Sequence, residues 1–174
     1  MQTMVVNRVR SDAAAEGFTQ VYAAHHAEAL RLAYLLCGDP HRAEDAVAEA
    51  FVKVYRQMQR GAVEHPRAYL RRAVVNEINS RFRRLAVERR EAAKRSGDAR
   101  GLRAADEQLA DTDEMFVALR HLPPRQRSVV VLRFYEDLPE KDIADVMGIS
   151  IGTVKSTLHR GLARLRELVG EEVA

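Results

Sequence analysis

The chain contains a single cysteine, Cys37, and no tryptophan. One thiol excludes an internal disulfide and any multi-cysteine zinc site. Cys37 follows Leu35 and Leu36, a setting that suits a buried, inert thiol, whereas a redox sensor needs an exposed, electropositive one. The 6 histidines are scattered, with no pair four residues apart to share a helix face. No metal and no cofactor is expected. No apolar run approaches the roughly 18 residues that span a membrane. Residues 1–12 mix valine with arginine and lack the apolar core of a signal peptide, so the expected location is the cytoplasm. β-Branched runs are short: Val129–Val131 is the one good strand candidate, and no hairpin dipeptide separates alternating segments. Nor is there a nucleophile with a neighbouring base, a catalytic carboxylate pair or a glycine-rich phosphate loop, which argues against an enzyme.

With 47% hydrophobic and 30% charged residues, the 174-residue chain suits a folded, soluble protein of one ordinary or two small domains. The net charge is only +3, but it is unevenly placed. Residues 67–103 hold 12 Lys/Arg against 4 Asp/Glu, whereas residues 104–140 hold 4 against 8. A strongly basic segment in a near-neutral chain suits a polyanion partner. Charge alone fits a solvated arginine-rich helix equally well.

The pattern reads as helix throughout. A first helix is expected over Phe18–Cys37, with Phe18, Val21, Tyr22, His25, Ala29, Leu32 and Leu36 on one face. Gly38 stops it, and Asp39-Pro40 cap and start the next. That second helix, Pro40–Gln59, has the cleanest period: Ala43, Ala46, Val47, Ala50, Phe51, Val54 and Tyr55 form one apolar stripe. Asp45, Glu49, Val52 and Arg56 face the other way. Gly61 to Pro66 reads as a loop, and a third helix after Pro66 buries Leu70, Ala73, Val74, Ile78 and Phe82. Residues 86–111 lose this regularity and read as a linker, in part helical. A second domain opens with capping-box spacing between Asp111 and Glu114. Its helices are expected to end at Leu122, to run from Pro123-Pro124 to about Tyr135, and then over Pro139–Met147 and Ile151–Val169.

The last two helices have the marks of a helix-turn-helix. Ala144 is small enough to let two helices cross closely, Gly148 permits a left-handed turn, and Val154 closes the core with Ile143, Ile149 and Leu158. Ser150 is placed to cap the second helix. Between Gly152 and Arg166 that helix carries Lys155, Arg160, Arg164 and Arg166 and no acidic residue. Thr153, Lys155, Ser156, His159 and Arg160 are residue types that reach phosphates and base edges in a major groove. The plainer alternative is a helical hairpin whose charges are simply solvated.

The third helix is a second nucleic-acid candidate. Arg71, Arg72 and Arg83 can contact phosphates, Asn76 and Asn79 can pair with base edges, and the preceding loop can receive an unstacked base. A wet, arginine-rich surface is again the alternative. The Asp45/Glu49 face of the second helix, with Val52 and Arg56, is either a protein-docking surface or solvent-facing.

These motifs resemble a known family. Leu122-Pro123-Pro124-Arg125-Gln126-Arg127, Leu138, Ile143-Ala144, Met147-Gly148-Ile149-Ser150, Gly152-Thr153-Val154-Lys155-Ser156 and His159-Arg160 are similar to region 4 of bacterial sigma factors. Ala43-Glu44-Asp45, Phe51, Tyr69-Leu70, Asn76 and Arg83-Arg84 are similar to region 2. The length leaves no room for the extra regions of housekeeping sigma factors. The resemblance is therefore to the extracytoplasmic-function (ECF, group 4) type, in particular its actinobacterial-like subfamily. It implies an all-α fold of two small helical domains, at 1–85 and 112–174, joined by a linker at 86–111. It implies core RNA polymerase as partner, through the β′ clamp helices and the β flap, with Asp45, Glu49, Val52 and Arg56 docking on the clamp. Promoter DNA would be read twice. Arg60, Arg71, Arg72, Asn76, Asn79 and Arg83 would recognise and help open a single-stranded −10 element. Thr153, Lys155, Ser156, His159 and Arg160 would read a duplex −35 element. The resemblance also allows an anti-sigma factor as partner. Departures from the family pattern are Ala46 and Ala48, where many members carry Leu and Gln, and Ser80, where many carry Asp. Phe82 is the candidate for an aromatic expected near Ser80.

Two rival readings stay open at this level. A dimeric repressor or activator would use the same helix-turn-helix without polymerase, and a protein-binding helical adaptor would leave the basic helix unexplained.

Overall fold

The computed structural model describes residues 2–61, 63–96 and 114–171. Those residues form seven α-helices: α1 Gln2–Cys37, α2 Pro40–Arg60, α3 Pro66–Ser96, α4 Glu114–His121, α5 Pro124–Phe134, α6 Glu140–Met147 and α7 Ile151–Glu171. No strand occurs among the described residues. The Val129–Val131 run lies inside α5 and is buried there. Pro124 at the first helical turn presets the backbone, and packing on all sides outweighs the β preference of valine.

The α1–α2 corner is set by local chemistry. Gly38 takes φ +73° and donates its N–H to the Tyr34 carbonyl at 2.7 Å. Asp39 then caps α2, its carboxylate accepting from Arg42 N at 3.0 Å. Ala43, Ala46, Val47, Ala50, Phe51 and Val54 are buried as the stripe requires. The alanines let α1 and α3 pack closely against α2. On α1, Ala29, Leu32, Ala33 and Leu36 are buried, while Tyr22 is 42% exposed. Burial raises the Cys37 thiol pKa, and the thiol donates to the Asp39 carbonyl, which fits an inert role.

One expectation changes, and the partly helical reading of 86–111 gains a definite extent. α1 begins far upstream of Phe18, at Gln2, and α3 continues past residue 85 to Ser96. Alanine, arginine and glutamate are strong helix formers, so composition alone carries α3 into the stretch read as a linker. Residues 97–113, including the proposed Asp111 capping box, lie outside the described residues.

α1–α3 form a three-helix bundle and α4–α7 a second, smaller unit, with α5 against α7 and α6 against α7. The two units are packed together rather than held apart. α5 contacts α1 and α3, α6 contacts α3, and the buried residues of both units form one continuous cluster. Complementary groups on the two surfaces make that possible, above all Arg127 and Glu136, neither of which carries a periodicity signal.

Candidate nucleic-acid interface

The helix-turn-helix has the expected geometry. Gly148 ends α6 at φ 64°, ψ 41°, and Ile149 N donates to the Ala144 carbonyl at 3.1 Å. Ser150 Oγ accepts from Thr153 N at 3.1 Å and lies 2.8 Å from Thr153 Oγ1, capping α7. Ile143 and Val154 are both fully buried in the angle between the helices. A side chain at Gly148 would meet no atom within 4 Å, so only its left-handed backbone resists substitution. Gly148→Ala is therefore expected to cost roughly 1–2 kcal/mol in urea unfolding, with Gly148→Asn costing less. Equal stability of the alanine variant would contradict this account of the turn.

α7 divides cleanly into a buried and an open side. Val154, Thr157 and Leu165 are buried, while Lys155, Ser156, His159 and Arg160 are exposed on one side. Ser156 Oγ donates to the Thr153 carbonyl at 3.1 Å, and Arg160 Nε donates to the Ser156 carbonyl at 3.2 Å. These bonds fold both side chains along the helix. Thr153 is half-buried by its cap role. Lys155 Nζ lies 3.7 Å from a carboxylate oxygen of Glu140, with both side chains well exposed. A wet pair of this kind is worth little, so a phosphate can readily take its place.

The second surface is only partly open. Arg72, Asn76 and Arg83 are exposed on one stripe of α3, and Arg60 is exposed at the end of α2. Arg71 instead donates through Nε to Glu136 at 2.6 Å, with side chains 12% and 2% exposed respectively. Asn79 Oδ1 lies 3.2 Å from Ser128 Oγ, and that hydroxyl also lies 2.9 Å from the Pro124 carbonyl. Phe82 is half-buried, with the Arg127 guanidinium 5.9 Å from its ring centroid, so it does not offer a stacking face to solvent. Tyr69 does: it is exposed and lines a cleft with His65, Arg72, Asp142 and Asp145. Its position in the helix register after Pro66 was readable, but its partners come from α6 and were not.

On α2, Asp45, Glu49, Val52 and Arg56 are all exposed. The structure splits them. Val52 and Arg56 border an apolar groove between α1 and α2 with Phe18, Tyr22 and Phe51, whose acidic edge is Glu44. Asp45 points towards α3, where its carboxylate lies 3.4 Å from Arg81. Arg81 also donates to Glu77 at 3.2 Å. The hydrogen bond from Lys53 at 2.8 Å, aided by Arg81, holds the Glu77 carboxyl below its ordinary pKa. Glu44 and Ala48, already marked in the sequence as part of the region 2 motif and as a departure from it, line the edge of this groove.

No group of three or more metal-ligating side chains converges among the described residues, and no described helix is long and apolar enough to cross a membrane.

Two family models match the chain. Residues 21–87 match the model of sigma-70 region 2, and residues 113–165 match that of sigma-70 region 4. The RNA polymerase sigma-E factor of Streptomyces coelicolor is 40% identical over 141 residues, covering 79% of this chain and 77% of that protein. The ECF RNA polymerase sigma factor SigE of Mycolicibacterium smegmatis is 31% identical over 176 residues, covering 97% of this chain and 68% of that protein. The sigma factor RpoE of Bartonella quintana, solved in complex with the anti-sigma factor NepR, shares the fold at a TM-score of 0.67 and 24% identity, over 89% of this chain and 98% of that one. The chain belongs to the sigma-70 family as an ECF-type sigma factor, a transcription initiation factor rather than an enzyme, which binds core RNA polymerase and promoter DNA and directs promoter-specific transcription.

Proposed function

We propose the following division of labour among the surfaces. α7 reads the −35 element as duplex through Thr153, Lys155, Ser156, His159 and Arg160. α3 and the 60–66 loop, through Arg60, Arg71, Arg72, Asn76, Asn79 and Arg83, recognise the −10 element and trap its unstacked strand. Asp45, Glu49, Val52 and Arg56 dock on the β′ clamp helices, and the second unit engages the β flap. The first unit is assigned to 1–85, with α3 extending beyond it to Ser96, and the second to 112–174, and the protein acts in the cytoplasm, where its polymerase and DNA are found. The observation that carries this reading is α7: four polar or basic side chains are exposed on one side, and the opposite side closes the helix-turn-helix core.

The energetics follow from weak parts held together. A docking face and two DNA readers become selective when polymerase fixes their separation and so raises each one's effective concentration. Each unstacked base captured on an aromatic or guanidinium face adds about 1–3 kcal/mol towards melting. The free protein is therefore expected to bind promoter duplex weakly.

Run-off transcription with core polymerase on a pool of promoter-containing fragments tests the reading. Defined start sites are expected with the native protein. Asp45→Arg is expected to weaken core binding about tenfold, or about 1.4 kcal/mol, in a native-gel titration. Inactive core, together with a specific duplex shift by the protein alone, would replace this reading with a polymerase-independent regulator.

A further inference from the structure

α7 contains three glycines, Gly152, Gly161 and Gly170, and the fold gives a reason for two of them. A Cβ built at Gly161 would lie 3.0 Å from Val130 Cγ2 and 3.5 Å from Gln126 Cβ. Val130 is buried, so the bare backbone at Gly161 lets α7 cross close over α5. Gly170 stands next to the end of the helix at Glu171, where glycine commonly marks the stop.

Gly152 has neither reason. It is not left-handed, unlike Gly38 and Gly148. A Cβ built there would meet only Ser150 Oγ, at 3.9 Å, which is ordinary contact. The cap of this first turn is made by Ser150 and Thr153 and does not use Gly152. Its backbone is helical, a conformation in which alanine is favoured over glycine. Gly152 therefore weakens α7 without easing any contact inside the protein.

Its position faces outward. Gly152, Ser156 and His159 are all exposed. At 3.6 residues per turn, Ser156 lies roughly 40° to one side of Gly152 around the helix and His159 roughly 20° to the other. Arg160 and Lys155 lie further out on those same two sides, at roughly 80° and 60°. Gly152 thus sits on the midline of the open face, with a long basic side chain on either flank. Flanking cations reach out to phosphates, while the midline of a recognition helix, at its N-terminal end, comes nearest to the base edges. A bare backbone permits the closest approach to a ligand. We infer that Gly152 is a positioning residue for promoter recognition. Its missing side chain lets the first turn of α7 settle against the base edges of the −35 duplex, and any side chain there lifts Ser156, His159 and both cations off their contacts. The inference rests on the reading of α7 as the −35 reader.

Stability and recognition should then move in opposite directions. In a calorimetric scan of the free protein, Gly152→Ala is expected to melt about 1–4 °C above native. Bound to core polymerase, the same variant is tested on a fragment chosen from the run-off pool for its defined start site, and on that fragment with the −35 segment scrambled. It is expected to bind the intact fragment about tenfold more weakly than native, the size of one lost base contact, and the scrambled one within about twofold of native. Gly152→Leu, also a good helix former, should lose more. Gly170→Ala is the same change about 27 Å further along α7, and should leave both affinities as they are. Native affinity of Gly152→Ala for the intact fragment would overturn the inference. So would an equal loss on both fragments, which would set Gly152 against polymerase, or a lower melting midpoint, which would give the glycine a reason inside the fold. Replacing Lys155 and Arg160 with glutamate separates the two failures. If that variant loses the intact fragment while Gly152→Ala keeps it, the role of Gly152 alone is wrong. If it too binds both fragments as native does, the reading of α7 fails and takes this inference with it.

Discussion

Replacing Lys155 and Arg160 together with glutamate is expected to reduce promoter-directed run-off transcription about a hundredfold, at two contacts of about 1–3 kcal/mol each. Binding to core polymerase should stay within about twofold of native, because the proposed clamp-docking face lies on α2, away from these side chains. The loss will not come from unfolding. Lys155 is 64% exposed and its partner Glu140 35% exposed, and such pairs contribute about 0–1 kcal/mol. Arg160 bonds only along its own helix, to the Ser156 carbonyl. Arg164 supplies the control. It is also exposed and basic, but it lies a turn further on and pairs with Glu167 at 3.0 Å. Arg164→Glu should reduce transcription far less. If the double variant transcribes as well as native protein, α7 does not read the promoter.

Arg127→Ala is expected to give the largest loss of stability of any single substitution in the second unit. The Arg127 residue is 5% exposed. Its guanidinium donates to the carbonyls of Leu36 at 3.0 Å, Arg120 at 2.7 Å and Leu122 at 3.2 Å. Truncation leaves these three acceptors short of a donor and opens a cavity beside Phe82. Losing these charge-assisted hydrogen bonds costs about 3–5 kcal/mol in total. At about 2–4 °C per kcal/mol for a chain of this size, the midpoint in a calorimetric scan should fall by about 6–20 °C. Arg127→Lys should restore little, because an ammonium is a point donor and cannot replace a planar fork spanning three carbonyls. A fall of under about 2 °C would show the bonds to be dispensable.

The contrast between these two residues marks where sequence reasoning succeeds and where it stops. The exposure of Lys155 and Arg160 was legible because the helix-turn-helix is local. The small residue Ala144, the left-handed Gly148, the Ser150 cap and the buried Val154 all lie within eleven positions, and helical periodicity then fixes which side of α7 is open. The α2 stripe was legible for the same reason. Its period named every buried residue of that helix, and Asp39-Pro40 fixed its start. Arg127 and Glu136 were not legible as partners of Leu36 and Arg71. The bonds they make join positions 91 and 65 residues apart, and nothing in either neighbourhood specifies the other.

The candidate −10 surface shows both regimes on one helix. Periodicity places Arg72, Asn76 and Arg83 on an exposed stripe, and they are exposed. It placed Arg71 and Asn79 beside them as equals, yet both face the second unit. Phe82 met the same fate under Arg127. The start of α1 was misjudged for a different reason. Helix propensity carries a polar, alanine-rich segment onward after its apolar stripe has faded, and a reading based on stripes stops too early.

By itself, the sequence determined that this chain is helical, where its helix-turn-helix lies, which face of that motif is free to meet DNA, and which family it belongs to. Those properties depend on contacts between residues a few positions apart, and the period of the helix makes them readable. Only the tertiary structure decided that the two units close on each other, and that Glu136 covers Arg71 while the α7 face stays open. That outcome depends on the fit of two surfaces far apart in the chain, Glu136 on Arg71 among their contacts, and no local pattern encodes such a fit.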